Sequence, residues 1–143
     1  MYRGEYSHTI DTKGRMSMPA KLRDALGDSF VLTLGLDKCL LAYDTAEWEK
    51  FESKLIELPS TNSKVRKLVR HFTGGAADVD VDGQGRILIP AKLREYAGLT
   101  KETVVVGMGN RVEIWSRETY DAEATYEDIS EVVEALEESG ISF

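Results

Sequence analysis

Arg15 and Arg86 are the two residues whose type and spacing best fit recognition chemistry. Each ends the pattern Asp-x-x-x-Arg, which begins at Asp11 and at Asp82. An outward-pointing guanidinium can fork onto the O6 and N7 acceptors of guanine in a DNA major groove, or onto a phosphate. The alternative is a salt bridge to the nearby aspartate that pins the turn. We favour DNA contact for Arg15 and leave both interpretations of Arg86 open.

Other basic residues lie close to these arginines in the sequence. Lys13 falls at the tip of the first turn, where we expect contact with a phosphate or a base edge. Arg3 lies on the segment leading to that turn and is a further candidate for DNA contact. For the cations between 64 and 70, we favour pairing with acidic residues of the same or a neighbouring chain. Four more cations are expected to be solvated helix surface: Lys21, Arg23, Lys92 and Arg94.

Asp11 and Asp82 are predicted to be structural, because a carboxylate repels phosphate. An aspartate side chain caps a turn by bonding to the backbone a few residues further on. Gly14 and Gly85 follow three residues later and supply the positive φ of such a turn. We therefore assign these four residues to turn formation.

The two turns belong to a repeated sequence. Residues 11–23 align with 82–94, and both segments contain Pro-Ala-Lys-Leu-Arg. After a one-residue slip, the match continues through 30–43 and 103–115. Two copies of a unit of roughly 45 residues predict an internal pseudo-dimer, since a solenoid needs about three repeats or more.

Each copy is predicted to form a β-hairpin, a helical turn and a second β-hairpin. Ile10, Met16 and Met18 alternate with polar residues, which is typical of two strands joined by a turn. Proline suits the first position of the short helix and glycine suits its end. These punctuating residues are Pro19, Gly27, Pro90 and Gly98.

The strand after the second turn is apolar on both faces. Ile87 and Ile89 are predicted to point inward, and Leu88 stands where the first copy has Ser17. We therefore expect both faces to be covered. The cover could be a neighbouring subunit or the chain's own connector helices.

Apolar residues recur at helical spacing in the segments outside the repeats, which predicts helices there. Asp44 and Glu47 resemble a capping box before an apolar stripe that begins at Trp48, and a second helix spans 65–72. An acidic C-terminal helix carries an apolar stripe that must dock on the body or on a neighbour: Tyr126, Ile129, Val132, Val133 and Leu136. The predicted divisions are a first repeat at 5–48, a helical connector at 49–72, a second repeat at 73–118 and an acidic tail at 119–143.

We expect no catalysis, no cofactor and no metal. Cys39 is the one cysteine and the two histidines are far apart in sequence, so no zinc-ligand spacing is found. Glu113 is expected to pair with Arg111, and residues 107–110 to form a hairpin turn instead of a phosphate loop. Two aromatic residues at strand ends are expected in the core: Tyr43 and Trp115.

Length and composition indicate one compact soluble domain, or two small halves sharing a core. The chain has 143 residues, 42% of them hydrophobic and 30% charged, and a formal net charge of −7. Nine acids and one base follow position 116, so the acidity is local and does not exclude a nucleic-acid partner. No run of about 18 apolar residues predicts a membrane span. The lone cysteine fits a reducing cytoplasm.

Three segments resemble the MraZ family: MYRGEYSHTIDTKGR at 1–15, the second turn at 82–94, and RVEIWS ending at 116. The paired Asp-x-x-x-Arg motifs, each with proline four residues after the arginine, are a specific signature. The resemblance spans essentially the whole chain. It implies an α+β, mainly β fold, in which two SpoVT-AbrB-like swapped-hairpin half-repeats form one pseudo-two-fold barrel with connector helices and a C-terminal helix.

The resemblance also implies a function. Family members are homo-oligomeric rings that bind tandem direct repeats in the promoter of the division and cell wall gene cluster. They are transcriptional regulators, usually repressors, in the cytoplasm and associated with the nucleoid. In the second copy, Gly83 and Gln84 replace Thr12 and Lys13, so equal DNA contact by both halves is not implied. The alternative function is an oligomeric interaction module, antitoxin-like and without promoter binding.

Overall fold

The protein, described here by a computed structural model over residues 1–123 and 128–143, has an α+β fold. Its described strands are β1 Glu5–Thr9, β2 Arg15–Ser17, β3 Ser29–Leu34, β4 Leu40–Tyr43, β5 Ala77–Asp80, β6 Arg86–Leu88, β7 Glu102–Gly107 and β8 Val112–Ser116. Its described helices are α1 Ala20–Leu26, α2 Thr45–Glu57, α3 Ser63–Val69, α4 Ala91–Ala97, α5 Arg117–Glu123 and α6 Ile129–Glu138. A π-helical turn, Arg70–Gly74, follows α3.

The strands of the two copies are interleaved. A six-stranded antiparallel sheet has the order β1-β7-β8-β4-β3-β5, and β2 and β6 form a separate two-stranded ribbon. The first-copy strands β1 and β2 therefore pair with the second-copy strands β7 and β6, and β5 pairs with β3. This exchange of strands between copies is the swapped-hairpin arrangement that the resemblance implies.

The pairing of the two arms around each turn was predicted wrongly from the alternation alone. Ile10 and Met16 form an isolated bridge across the first turn, but β1 and β2 pair along their lengths with the other copy. Periodicity shows which face of a strand is buried and does not show which strand lies beside it. The second hairpins, β3–β4 and β7–β8, form as predicted.

The core lies between the ribbon and the inner face of the large sheet. Met16 and Ile87 are register partners in the ribbon, and each is 1% exposed. Met18 and Ile89 are also buried, which confirms the predicted inward positions. Burying each such side chain contributes about 1.5–3 kcal/mol, so the ribbon is held firmly by its inward face.

A second, aromatic cluster lies between α2 and the sheet. Tyr43 and Trp115 are buried in it, as predicted, and Tyr43 stacks on Phe51 with ring centroids 5.3 Å apart. The helix begins where predicted, because the Asp44 side chain accepts a hydrogen bond from the Glu47 backbone N–H at 2.9 Å. This cluster fixes α2 on the side of the sheet away from the ribbon.

The C-terminal helix forms over Ile129–Glu138 but is not buried against the body of the described chain, so of the two predicted docking sites only a neighbour stays a prediction. None of its residues is buried, and Ile129 is 71% exposed. Tyr126, the first residue of the predicted stripe, lies outside the described residues. Leu88 is 59% exposed, so the chain's own helices do not provide the predicted cover over that face of β6. Cover of this face by a neighbouring subunit stays a prediction.

Candidate nucleic-acid interface

The first turn is organised by the Asp11 side chain. Its Oδ1 atom accepts hydrogen bonds from the backbone N–H groups of Lys13 and Arg15, both at 2.9 Å. The Asp11 N–H in turn donates to the Arg15 carbonyl at 2.9 Å. The Arg15 backbone bond lowers the pKa of the Asp11 carboxyl most, desolvation opposes it, and the Arg15 side chain and the Lys13 backbone bond lower the pKa further. The carboxylate is therefore ionised at neutral pH and orders the turn.

The second turn has the same geometry. Asp82 Oδ1 accepts the backbone N–H groups of Gln84 at 2.8 Å and of Arg86 at 3.0 Å. The pKa of this carboxyl is also lowered, chiefly by the Arg86 backbone bond. The two turns are thus equivalent in backbone structure, as the repeat predicts.

Glycine is required in both turns because an arginine of the other copy packs against each. Gly14 has φ +88° and Gly85 has φ +77°. A Cβ at Gly14 would lie 2.7 Å from the Arg94 guanidinium, and a Cβ at Gly85 would overlap Arg23 Nη1. The Arg94 Nε also donates to the Ile89 carbonyl at 2.9 Å. Each turn is therefore completed by the short helix of the opposite copy.

The expectation that all four helix cations are solvated surface is wrong for the two arginines. Arg23 and Arg94 are half-buried against the turn glycines, whereas Lys21 and Lys92 are exposed. Sequence reasoning missed this because the contact crosses between copies. The usable signal was the identical Pro-Ala-Lys-Leu-Arg block in both copies.

Arg15 and Arg86 are each paired with their aspartate and still reach solvent. Arg15 Nε lies 2.8 Å from Asp11 Oδ2, and its side chain is 37% exposed. Arg86 Nε lies 3.0 Å from Asp82 Oδ2, and its side chain is 29% exposed. A guanidinium has five N–H donors, and within residues 1–123 and 128–143 neither arginine has a hydrogen-bond partner at its Nη atoms. The aspartates therefore orient the side chains and leave their outer donors available.

The two arginines share the outward face of the ribbon. Arg15 is the register partner of Leu88, and Arg86 is the partner of Ser17. Arg86 therefore lies one strand across from Arg15 and two residues along, which places the two Cα atoms about 8 Å apart. The outward face of the ribbon thus carries Arg15, Ser17, Arg86 and Leu88 above a fully buried inner face.

The tips of the turns differ in charge and are both exposed. Lys13 is exposed at the first tip. At the second tip, a Cβ on Gly83 would meet no atom within 4 Å. A groove of about 570 Å³ beside the second turn is lined by three acids and one base: Asp24, Asp28, Asp82 and Arg23. The first tip is therefore the more favourable one for a phosphate.

Arg3 is not brought to the turns. It is exposed and precedes β1, which is about 16 Å long and separates it from the first tip. Its backbone packs against Gly107 at the end of β7. Any DNA contact by Arg3 would be made at a separate position.

Several further predictions concern residues away from the ribbon. The expected pair between Arg111 and Glu113 is wrong: Glu113 Oε1 accepts from Trp115 Nε1 at 3.0 Å, and Arg111 Nη1 donates to Asn110 Oδ1 at 2.9 Å. The hairpin turn predicted at residues 107–110 does form, because β7 ends at Gly107 and the Met108 N–H donates to the Arg111 carbonyl at 2.8 Å before β8 begins. In the part of the chain that the structure describes, no helix has the length and apolarity needed to cross a membrane. The same residues contain no group of three or more potential metal ligands.

Two interlocked repeats, each presenting an aspartate-capped turn and an arginine, define a doubled swapped-hairpin protein. A family model described as "MraZ protein, putative antitoxin-like" matches residues 1–71 and again 72–139. The chain is 48% identical to the transcriptional regulator MraZ of Lachnoclostridium phytofermentans over 143 residues, all of both chains. It is 52% identical to that of Desulforamulus reducens over 136 residues, covering 92% of this chain and 96% of the relative. For Acetivibrio thermocellus the identity is 50% over 130 residues, 91% of each chain.

The chain therefore belongs to the MraZ family of transcriptional regulators. The relatives' names describe regulation and not a reaction. This agrees with the expectation of a transcriptional regulator.

Proposed function

We propose that the protein is a sequence-specific DNA-binding repressor that reads DNA with the outward face of the β2–β6 ribbon. The supporting observation is the pair of oriented arginines, Arg15 and Arg86, on one face of that ribbon with their outer donors available. A two-stranded ribbon fits the major groove, where an arginine forks onto guanine. The rigid inner face supports this role because it fixes where the two guanidinium groups point.

The first turn is the stronger of the two DNA-contacting units in this proposal. Lys13 adds a cation at its tip, where it contacts a phosphate, and Arg15 reads a base. The second turn contributes Arg86 alone, because Gln84 stands in the position of the lysine. Arg3, beyond the far end of β1, contacts the phosphate backbone separately. Asp11, Asp82, Gly14 and Gly85 hold the turns and do not touch DNA.

Binding requires several copies of the chain. The chain is acidic overall, and each protomer offers few contacts to a duplex. Joining protomers in a homo-oligomeric ring raises the effective concentration of the next turn at the next site. Tandem direct repeats in the promoter of the division and cell wall gene cluster are the target that fits such an assembly. The protein acts there in the cytoplasm, at the nucleoid.

The second candidate function is an antitoxin-like interaction module that does not bind the promoter. The description of the matching family model favours keeping this candidate. In that case the acidic C-terminal segment, and not the ribbon, would carry the function. The two candidates differ in whether the arginines are needed.

The test is footprinting on the promoter of the protein's own gene, with the wild type and Arg15→Ala. We expect a protected series of repeats with the wild type and its loss with the variant, while the oligomeric mass is unchanged. Lys54→Ala is the control, because it removes an exposed cation from α2, on the opposite side of the sheet. Unchanged protection by Arg15→Ala would favour the interaction module.

Salt dependence gives an independent check of phosphate contact. If about six phosphates are neutralised, affinity should fall about 10³-fold between 50 and 200 mM salt. A flat response would contradict the proposal. The measurement is a titration of a fluorescent promoter fragment at several salt concentrations.

A further inference from the structure

The helix α6 presents an apolar face that is not packed into either core cluster of the described chain. Ile129 is 71% exposed and Leu136 is 36% exposed, and neither core cluster contains a residue of this helix. With Val132 and Val133, these residues recur at helical spacing and form one stripe. Two more exposed apolar residues follow the helix: Ile141, 53% exposed, and Phe143, 95% exposed.

The charged residues on the helix and on the residues that flank it are all acidic. Residues 128–143 contain five acids and no base. The acids are Asp128, Glu131, Glu134, Glu137 and Glu138. Any partner of this face must therefore combine exposed apolar side chains with positive charge.

The helix α3 and its flanks provide a surface of that kind. Residues 58–76 contain four basic residues and no acid: Lys64, Arg66, Lys67 and Arg70. None of the α3 residues is buried, and Leu58 and Leu68 are 38% and 37% exposed. Ile56, near the end of α2, is 75% exposed. We name residues 56–70 the basic connector face.

The cations of the basic connector face are not used for ion pairs inside the described chain. The described ion pairs involve Arg15, Lys50, Arg86 and Arg117. Arg66 donates to the Ser60 carbonyl at 3.1 Å, which leaves its charge unneutralised. The intramolecular pairing expected from the sequence is therefore not seen in residues 1–123 and 128–143, and the cations are available to another molecule.

We propose that α6 of one protomer docks on the basic connector face of a second copy of this chain. The two surfaces match in charge, acidic against basic, and each offers an exposed apolar strip to the other. Every chain carries both surfaces, so one kind of contact can join any number of copies. Such a contact is heterologous and closes into a ring when the rotation between neighbours allows it. This inference rests on the homo-oligomeric assembly of the proposed function and names its interface.

The test reverses the charge on each surface separately. Variant A carries Glu131→Lys and Glu134→Lys, and variant B carries Lys64→Glu and Lys67→Glu. We expect the wild type to be an oligomer by analytical ultracentrifugation, and each variant alone to associate at least 100-fold more weakly. An equimolar mixture of A and B should recover the oligomer, because each reversed surface then meets an oppositely charged one.

A matched control is Asp24→Lys with Glu95→Lys. These residues are exposed on α1 and α4, and the pair changes the net charge by the same amount as variant A. The control should keep the wild-type mass. Circular dichroism and thermal unfolding of A and B establish that both are folded before their masses are compared.

Three results would overturn the interface. They are a monomeric wild type, an unchanged mass for A or for B, and failure of the mixture to recover the oligomer. The last result would mean that α6 docks on another surface or on another protein. DNA binding is scored separately with Arg15→Ala, which leaves both surfaces intact. Loss of the interface with an Arg15-dependent footprint would leave the proposed function standing, and the reverse result would remove the function and keep the interface.

Discussion

The turns at 11–15 and 82–86 have the same backbone and different charges. In both, an aspartate accepts two backbone N–H groups at 2.8–3.0 Å and an ion pair holds the arginine. The tips differ, because Lys13 is replaced by Gln84. The shared backbone geometry is held by residues that are hydrogen-bonded or packed. The difference in charge lies at exposed tip positions, where a substitution has little effect on stability. Two turns with the same backbone geometry can therefore contribute unequally to DNA affinity.

The turns also differ in how the opposite copy holds them. Arg94 packs on Gly14 and is fixed by its bond to the Ile89 carbonyl. Arg23 packs on Gly85, and the described residues give it no corresponding bond. The first turn is therefore the more tightly held, in addition to being the more positively charged.

The largest effect should come from adding a methyl group to the turn glycines. Gly14→Ala forces an alanine to positive φ and places its Cβ 2.7 Å from Arg94 and 3.1 Å from the Ile89 carbonyl, neither of which is free to move. We expect a loss of about 3 kcal/mol in the free energy of unfolding. Gly85→Ala should lose about 1–2 kcal/mol, because the end of Arg23 can swing away. Urea unfolding measures both.

The control for these variants is Gly83→Ala at the second tip. Its Cβ would meet no atom within 4 Å and its φ is ordinary, so we expect a change within about 0.5 kcal/mol. Equal losses for Gly14→Ala and Gly85→Ala would contradict the inference that the first turn is held more tightly.

The second effect in size is the difference between the two arginines in DNA binding. Arg15→Ala should weaken promoter binding by about 2 kcal/mol per contact, close to 30-fold. Arg86→Ala should cost about 1 kcal/mol, because its unit lacks the lysine and lies beside a groove with three carboxylates. Titration of a promoter fragment with each variant measures the ratio. Equal losses would show that the tips do not set the ranking.

The two turns also show which features of the fold can be predicted from the sequence. The repeat and the alternation predicted both turns, the inward residues Met16 and Ile87, and the short helices. They could not reveal which strand pairs with which, because burial of a strand face is the same whichever strand lies beside it. The packing of Arg23 and Arg94 follows from that pairing and was missed for the same reason. The exposure of Leu88 also depends on the fold as a whole, which local patterns do not describe.

The third prediction concerns a variant that gives the tips of both turns the same charge. Gln84→Lys restores at the second turn the cation that the first turn carries, at an exposed position where no packing opposes it. We expect affinity to rise a few-fold at low salt, and the salt slope to steepen by about 0.9 for each new phosphate contact. Lys13→Gln should produce the opposite change. No change in slope for Gln84→Lys would mean that the second turn does not reach the phosphate backbone.

The smallest effect concerns the aspartates and should be the same in both turns. The pKa values of Asp11 and Asp82 are lowered from 3.8, chiefly by the backbone N–H groups of Arg15 and Arg86. A carboxyl whose pKa is lowered by folding stabilises the protein above its unfolded pKa, and this contribution disappears as the pH falls through the folded value. The unfolding free energy of the wild type relative to Asp11→Asn should therefore be constant above about pH 5 and shrink below about pH 4.

The matched variant Asp82→Asn should give the same pH curve, because its carboxylate makes the same set of bonds. Urea unfolding across this pH range tests the pair. Two superimposed curves mean that the aspartate bonds of the two turns are equivalent and that the turns differ only at their tips and in the packing of Arg94 and Arg23. A curve for Asp11→Asn that stays flat to pH 3 would assign its effect to shape instead of charge, and the ion pair with Arg15 would then not orient the arginine.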